Sequence, residues 1–157
     1  MNKLSYEQAL HRLATYCSHV ERCEWDIRRK MEAWELPPEQ QDAIVQRLRK
    51  EKFIDEERYC KAFVNDKTKY NHWGIHKIFF ELKKKQLPES FIREALKNLD
   101  SKENLEHLRL LIAQKKKSIK GNNEWQIRQK LLLFAISRGF SPRDIEAVLG
   151  ADNESDE

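Results

Sequence analysis

Glycine and proline are scarce in this chain, four of each among 157 residues. Sheets joined by tight turns need residues that accept positive φ or fix it, so this scarcity argues against a strand-rich fold. Long apolar runs are missing too. No stretch approaches the roughly 18 residues that suggest a membrane span, and no signal segment is apparent. Cysteine is limited to Cys17, Cys23 and Cys60. An odd, small number points to reduced thiols and a cytoplasmic setting, not to a disulfide framework. The familiar catalytic signatures are absent: no Gly-rich phosphate loop, no Gly-x-Ser-x-Gly, no His-Glu-x-x-His. These absences lead us to expect neither an enzyme nor a cofactor.

What is present is charge. Charged residues make up 36% of the chain and hydrophobic residues 39%. Abundant Leu, Lys, Glu and Arg with little Gly or Pro favour helix. So few apolar residues suit slim helical layers better than one thick core. The net charge is +1 over residues 1–54, +3 over 55–99, +4 over 100–149 and −4 over 150–157. Basicity that rises along the body suggests an anionic partner; a solvated surface is the plainer reading. The acidic end, nearly free of apolar residues, is expected to be disordered.

Internal repetition carries more information. Glu24-Trp25-Asp26-Ile27-Arg28-Arg29-Lys30-Met31 and Glu124-Trp125-Gln126-Ile127-Arg128-Gln129-Lys130-Leu131 match in register. The middle of the chain keeps the apolar frame, with Ile78 and Leu82 standing where Ile27 and Met31 stand. Leu36-Pro37 follows Met31 as Leu87-Pro88 follows Leu82, whereas Phe140-Ser141 arrives four residues later. Four residues add about one helical turn and preserve the face.

Each unit reads as three helices. The first helices begin near Ser5, Asp55 and Ser101; Ser5 with Gln8 forms a capping box, and Ile54-Asp55 with Tyr59 an N-cap and staple. Their buried faces should hold Leu10, Leu13, Ala14 and Cys17; Tyr59, Ala62 and Phe63; Leu105, Leu108, Leu111 and Ile112. The second helices carry the repeated motif. The third open after Leu36, Leu87 and Phe140, the last with Ser141 as cap and Pro142 in the first turn. They bury Ile44, Val45 and Leu48; Phe91, Ile92, Ala95, Leu96 and Leu99; Ile145, Val148 and Leu149. The expected fold is therefore all-α: a tandem array of three three-helix, helix-turn-helix-like repeats at 1–54, 55–99 and 100–149, then the tail 150–157. Short connections near Arg49–Lys52 and at Asn98–Asp100 make an elongated array that is free to curve.

These residues resemble the RecX family of regulators of the bacterial recombinase RecA. The resemblance rests on Phe53-Ile54-Asp55-Glu56-Glu57-Arg58-Tyr59, Lys67, and Trp73-Gly74-Ile75-His76-Lys77-Ile78 with Leu82, flanked by the two other repeats. It covers residues 5–149. The glycine usual before the third helix is absent from Trp34-Glu35-Leu36 and Lys85-Gln86-Leu87 and kept at Gly139, a departure that touches turn detail. The resemblance implies tandem three-helix modules lodged in the groove of a RecA–DNA filament. It implies that they bridge protomers and modulate, chiefly inhibit, ATP hydrolysis, strand exchange and filament growth. Direct contact with single- or double-stranded DNA is the alternative, and the chain is expected to act as a monomer away from membranes.

Candidate contact residues are the basic clusters Arg28, Arg29 and Lys30; Lys83, Lys84 and Lys85; and Lys115, Lys116 and Lys117 with Lys120. The repeated second helix adds Arg128 and Lys130, and the resemblance adds Arg58, Lys67 and Lys77. Clustered cations displace counterions from phosphates and steer encounter with acidic surfaces. Lysines 83–85 and 115–117 also fall at helix ends, where cations offset bare carbonyls. Three consecutive residues point around much of a helix, so no cluster can meet one surface whole. Trp25 and Trp125 could stack on bases, but packing between helices is the simpler expectation. Cys17-x-His19-x3-Cys23 and His72-x3-His76 lack a closed set of four ligands at zinc spacing, so the cysteines read as core residues.

Overall fold

The computed structural model describes residues 4–97, 99, 101–121 and 123–155, with side chains described as far as residue 150. Among these residues there are nine α-helices and no strand. They are α1 (Tyr6–His19), α2 (Glu24–Ala33), α3 (Pro38–Lys50), α4 (Glu56–Lys69), α5 (Ile75–Lys84), α6 (Glu89–Leu96), α7 (Ser101–Lys116), α8 (Glu124–Ser137) and α9 (Pro142–Ser155).

Three of the starts, those of α1, α4 and α9, carry side-chain caps at the expected places. Ser5 Oγ accepts the Gln8 N–H at 3.2 Å while Gln8 Oε1 accepts the Ser5 N–H at 3.0 Å. Asp55 Oδ1 accepts the Arg58 N–H at 3.0 Å, and Ser141 Oγ the Asp144 N–H at 3.1 Å. Each cap satisfies an amide the helix cannot pair and stabilises it by about 1 kcal/mol.

The second helices all end in one way. Leu36, Leu87 and Phe140 donate their N–H back to Met31, Leu82 and Ala135 at 3.1, 3.3 and 3.2 Å. The preceding residue is left-handed each time: Glu35 at φ 58, Gln86 at φ 64 and Gly139 at φ 100. This is the Schellman closure, which glycine suits best because a side chain in that region costs roughly 1–2 kcal/mol. The two non-glycine turns keep the geometry and bear the strain. Helix α8 has 14 residues where α2 and α5 have 10, so the four-residue insertion is an added turn.

Three separate cores result. Ala9, Leu13, Ile27, Met31, Ile44 and Leu48 centre the first, and Leu108, Ile112, Leu131, Ala135, Ile145 and Val148 the third. The second gathers Tyr59, Cys60, Val64, Ile78, Leu82 and Ile92, and it also takes Cys23 from the start of α2. Large side chains buried this fully stabilise by roughly 1.5–3 kcal/mol each. The total exposed area is 10527 Å² for 18.9 kDa, about a quarter more than a compact monomer of that mass presents. That excess fits cores laid in series.

Several expectations need correction. In α1 the buried pair is Ala9 and Leu13, with Leu10, Ala14 and Cys17 half-buried. In α4, Cys60 and Val64 join Tyr59 inside, while Ala62 and Phe63 stay half-buried. In both cases the buried stripe is rotated on the helix by the way its unit closes. Ile127 is only half-buried because it lies against the Gly121 loop at the rim, and α8 buries Leu131 and Ala135 instead. Helix α9 runs to Ser155. Residues 156–157 and the linker residues Asn98 and Asp100 lie outside the described residues.

Candidate partner-binding surface

An aromatic row runs along the central unit. Tyr59 and Phe63 are one helical turn apart on α4, so they share a face. Their ring centroids lie 5.9 Å apart, and Trp73, just beyond the helix, lies 6.1 Å from Phe63. Three lysines flank the row. Lys67 Nζ sits 4.8 Å from the Trp73 ring and Lys77 Nζ 4.7 Å from the same ring. Lys85 Nζ lies 5.4 Å from Tyr59 and 5.7 Å from Phe63. Phe63, Trp73, Lys67 and Lys77 are half-buried, so their outer faces remain open. An ammonium over an open ring is worth about 0.5–1 kcal/mol and keeps donors free for a carboxylate or phosphate.

One end of the row is the junction of the first two units. Lys85 Nζ donates to Asp26 Oδ1 at 3.1 Å and to the Tyr59 hydroxyl at 2.8 Å. Asp26 in turn accepts the Cys23 backbone N–H at 3.2 Å. Arg49 bridges Glu24 and Glu56, each at 2.7 Å, and Arg58 Nε holds Glu21 at 2.6 Å. Burial opposes ionisation of Glu24, but hydrogen bonds from Arg49 and Arg28 prevail and hold its carboxyl below the usual range. Burial also pushes the Cys23 thiol up to about 11 and raises the Tyr59 phenol, where the Asp26 charge adds to the effect, so each keeps its proton at neutral pH.

The other end is the junction of the second and third units, made of backbone. The Gly74 N–H donates to Arg138 O at 2.7 Å and the His76 N–H to Gly139 O at 3.0 Å. A Cβ on Gly74 would lie 2.5 Å from Gly139 O, and one on Gly139 would lie 2.5 Å from the Lys77 backbone nitrogen. Only two glycines permit that approach. Across it, Lys77 Nζ reaches Ser137 O at 3.4 Å. Phe134 is then covered by Lys115 at 4.7 Å and Arg138 at 4.9 Å, which extends the basic–aromatic surface into the third unit.

The structure thus gathers Lys67, Lys77, Lys85 and Lys115 of the expected residues on or near one row. Arg58 and Arg28 are engaged within the chain: Arg58 as above and also with Lys52 O at 3.0 Å, Arg28 with Glu24 at 3.2 Å and Asp42 at 2.9 Å. Arg128 pairs with Glu146, and Lys130 Nζ donates to Lys120 O at 2.7 Å. Arg29 lies over Trp25 at 4.3 Å and Lys30 over Tyr16 at 4.9 Å, so neighbours in sequence diverge as expected. Lys83 is 3.7 Å from Glu89. Lys84, Lys116, Lys117 and Lys120 are exposed, and none of their ammonium groups is engaged among the described residues. Sequence reasoning misses Arg138, whose signal is its place at the helix end just before Gly139. It also misreads Trp125, which is 68% exposed where Trp25 is half-buried against the second core. No group of three or more metal-ligating side chains occurs among the described residues.

Comparison with known proteins agrees with this architecture. Residues 55–96 match the RecX second three-helix domain and residues 102–149 the RecX third three-helix domain. Regulatory protein RecX of Prosthecochloris aestuarii is 26% identical over 149 residues, covering 95% of this chain and 96% of that protein. Regulatory protein RecX of Clostridium beijerinckii is 33% identical over 131 residues, 82% of this chain but 60% of that longer protein. A crystal structure of regulatory protein RecX superposes with a TM-score of 0.83 at 25% identity, over 92% of this chain and 73% of the other. RecX from Lactobacillus salivarius, at 16% identity, shares the fold with a TM-score of 0.76 over 93% and 95% of the two chains.

Proposed function

This chain belongs to the RecX family, and from that premise we propose that it binds RecA on its DNA filament and restrains the filament's ATP turnover, strand exchange and growth. The observation that carries this reading is the row Tyr59–Phe63–Trp73 with Lys67, Lys77 and Lys85 beside it, stretched between two tied junctions. An open π face beside ammonium groups suits an acidic or phosphate-bearing groove. The junctions hold three units at fixed spacing. An array of fixed spacing binds best to a filament whose protomer spacing matches, and it resists any change of that spacing during ATP turnover. This is restraint by preferential binding to one state. Several linked contacts also multiply affinity, so residues 1–99 alone should bind far more weakly than the whole chain. On this reading the protein is a binder and regulator, not a catalyst.

The test is Lys67→Glu with Lys77→Glu, which leaves every buried core position unchanged. We expect filament binding and ATPase inhibition to fall at least tenfold while the helical signal and melting temperature stay near those of the parent. Unchanged inhibition in a folded double variant would remove the row from the contact. The same geometry favours a second reading, in which the row stacks on single-stranded DNA. Base–aromatic stacking contributes about 1–3 kcal/mol per base and such binding falls steeply with salt. Nuclease treatment of a RecA pull-down separates the two. RecA retained without DNA supports the direct contact; RecA lost with the DNA supports the coat.

A further inference from the structure

We propose that copies of this chain associate head to tail, the acidic turn after α2 of one copy seating on the basic, Trp125-bearing start of α8 in the next. The two internal junctions supply the pattern. Each three-helix unit carries a left-handed turn at the end of its second helix and an extended start before that helix. In both internal junctions the turn of one unit meets the start of the preceding one. Lys85, beside the Gln86 turn, holds Asp26 at the start of α2, and Trp25 lines a groove with Gln86 and Pro88. Arg138 and Gly139 accept hydrogen bonds from Gly74 and His76 at the start of α5.

Among the described residues, three units joined in this way leave one turn and one start undocked. The free turn is that of Glu35, whose φ of 58 repeats the geometry of the two docked turns at 64 and 100. The undocked start is that of α8, where Trp125 is 68% exposed although its counterpart Trp25 is half-buried against the next unit's core. The two free ends are also complementary in charge. Glu32, Glu35 and Glu39 are exposed, and no Lys or Arg occurs between Met31 and Gln46. At the other end, Gly121 packs against Gln126 and Ile127, which brings the Lys116, Lys117 and Lys120 segment alongside the start of α8. A contact between two different surfaces of the same chain is heterologous, so copies add head to tail, into open chains or, where the rotation closes, rings, and the assembly grows with concentration. This inference stands without the filament reading, because it concerns the purified protein alone.

The experiment is analytical ultracentrifugation of the full chain from micromolar to millimolar concentration, at low and high salt. The weight-average mass should rise above 18.9 kDa with concentration and fall back when salt is added. Trp125→Ala should weaken association at least tenfold, with melting temperature unchanged because the side chain is exposed. Glu35→Lys with Glu39→Lys, and separately Lys117→Glu with Lys120→Glu, should each remain monomeric alone, and mixing the two should restore association. A parent that stays monomeric at millimolar concentration would overturn the proposal, as would association that survives in each charge variant. So would a Trp125→Ala variant that loses filament or single-strand binding while the parent is monomeric, since Trp125 would then serve another partner.

Discussion

The two junctions of this array solve one problem with different chemistry. Between the first and second units the contact is electrostatic and partly apolar: Lys85 sits between Asp26 and Tyr59, Arg49 between Glu24 and Glu56, and Cys23 enters the neighbouring core. Between the second and third units it is backbone on backbone, with Gly74 and Gly139 leaving no room for a side chain on either partner. A charged junction tolerates substitution at its rim and answers to salt and pH. A glycine junction is indifferent to both and fails outright when a side chain is added. The central row of aromatics and lysines lies between them, so its shape depends on both.

Breaking the glycine junction should have the largest effect. Gly139→Val would put a branched side chain at φ 100 and against Lys77, and we expect a loss of about 3 kcal/mol or more in denaturant unfolding. Hydrogen exchange should show protection lost in α7–α9 and kept in α1–α3. Gly74→Ala should cost less, about 1–3 kcal/mol, as overpacking without left-handed strain. Equal loss in all three units would show that the array unfolds as one body and that the junctions are not separable.

The charged junction should break more gently. Lys85→Met strips the partner from Asp26, whose side chain is 11% exposed, and should cost about 2 kcal/mol. Adding Asp26→Asn removes the stranded charge and should recover part of that loss, which a double-mutant cycle would measure.

Acid should sharpen the contrast further. The Glu24 carboxyl titrates below its ordinary value of 4.5 in the folded chain. Its contribution is therefore complete above that value and disappears as pH falls through the lower, folded one. Exchange in α2 and α4 should rise in that acid range before exchange at the Gly74–Gly139 contact does. Equal sensitivity at both junctions would mean that Glu24 does not govern the first.

The smallest effect tests the turns. Gln86→Gly and Glu35→Gly relieve left-handed strain at a cost in chain entropy and should each stabilise by about 0.5 kcal/mol. Only Gln86→Gly touches a junction. If it also loosens the first against the second unit, the Gln86 side chain contributes to the docking.

Much of this fold is legible in the order of residues. The caps at Ser5, Asp55 and Ser141 follow from residue type and spacing alone, because a cap is a local hydrogen bond. The extra turn in α8 follows from comparing the repeats. The candidate site is only half legible. Resemblance points to Lys67 and Lys77 separately, and nothing along the chain shows that positions 67 and 77 meet over the one ring of Trp73. Lys85 looks equivalent to Lys83 and Lys84, yet it alone is tied to Asp26 across 59 positions.

By itself, then, the sequence determined the helices, their ends, the threefold repetition and most of the inward-facing residues. All of these are set by interactions within a few residues or by a 3.6-residue period. Tertiary structure decided which member of each equivalent set is used. It half-covered Trp25 and left Trp125 bare, because the following unit meets the start of α2 while none among the described residues meets that of α8. It made a glycine indispensable at 139, where the backbone of Gly74 and Lys77 comes within 3 Å of the missing side chain, while Glu35 and Gln86 hold the same kind of turn without one. Long-range approach has no sequence period, so no pattern along the chain could have shown it.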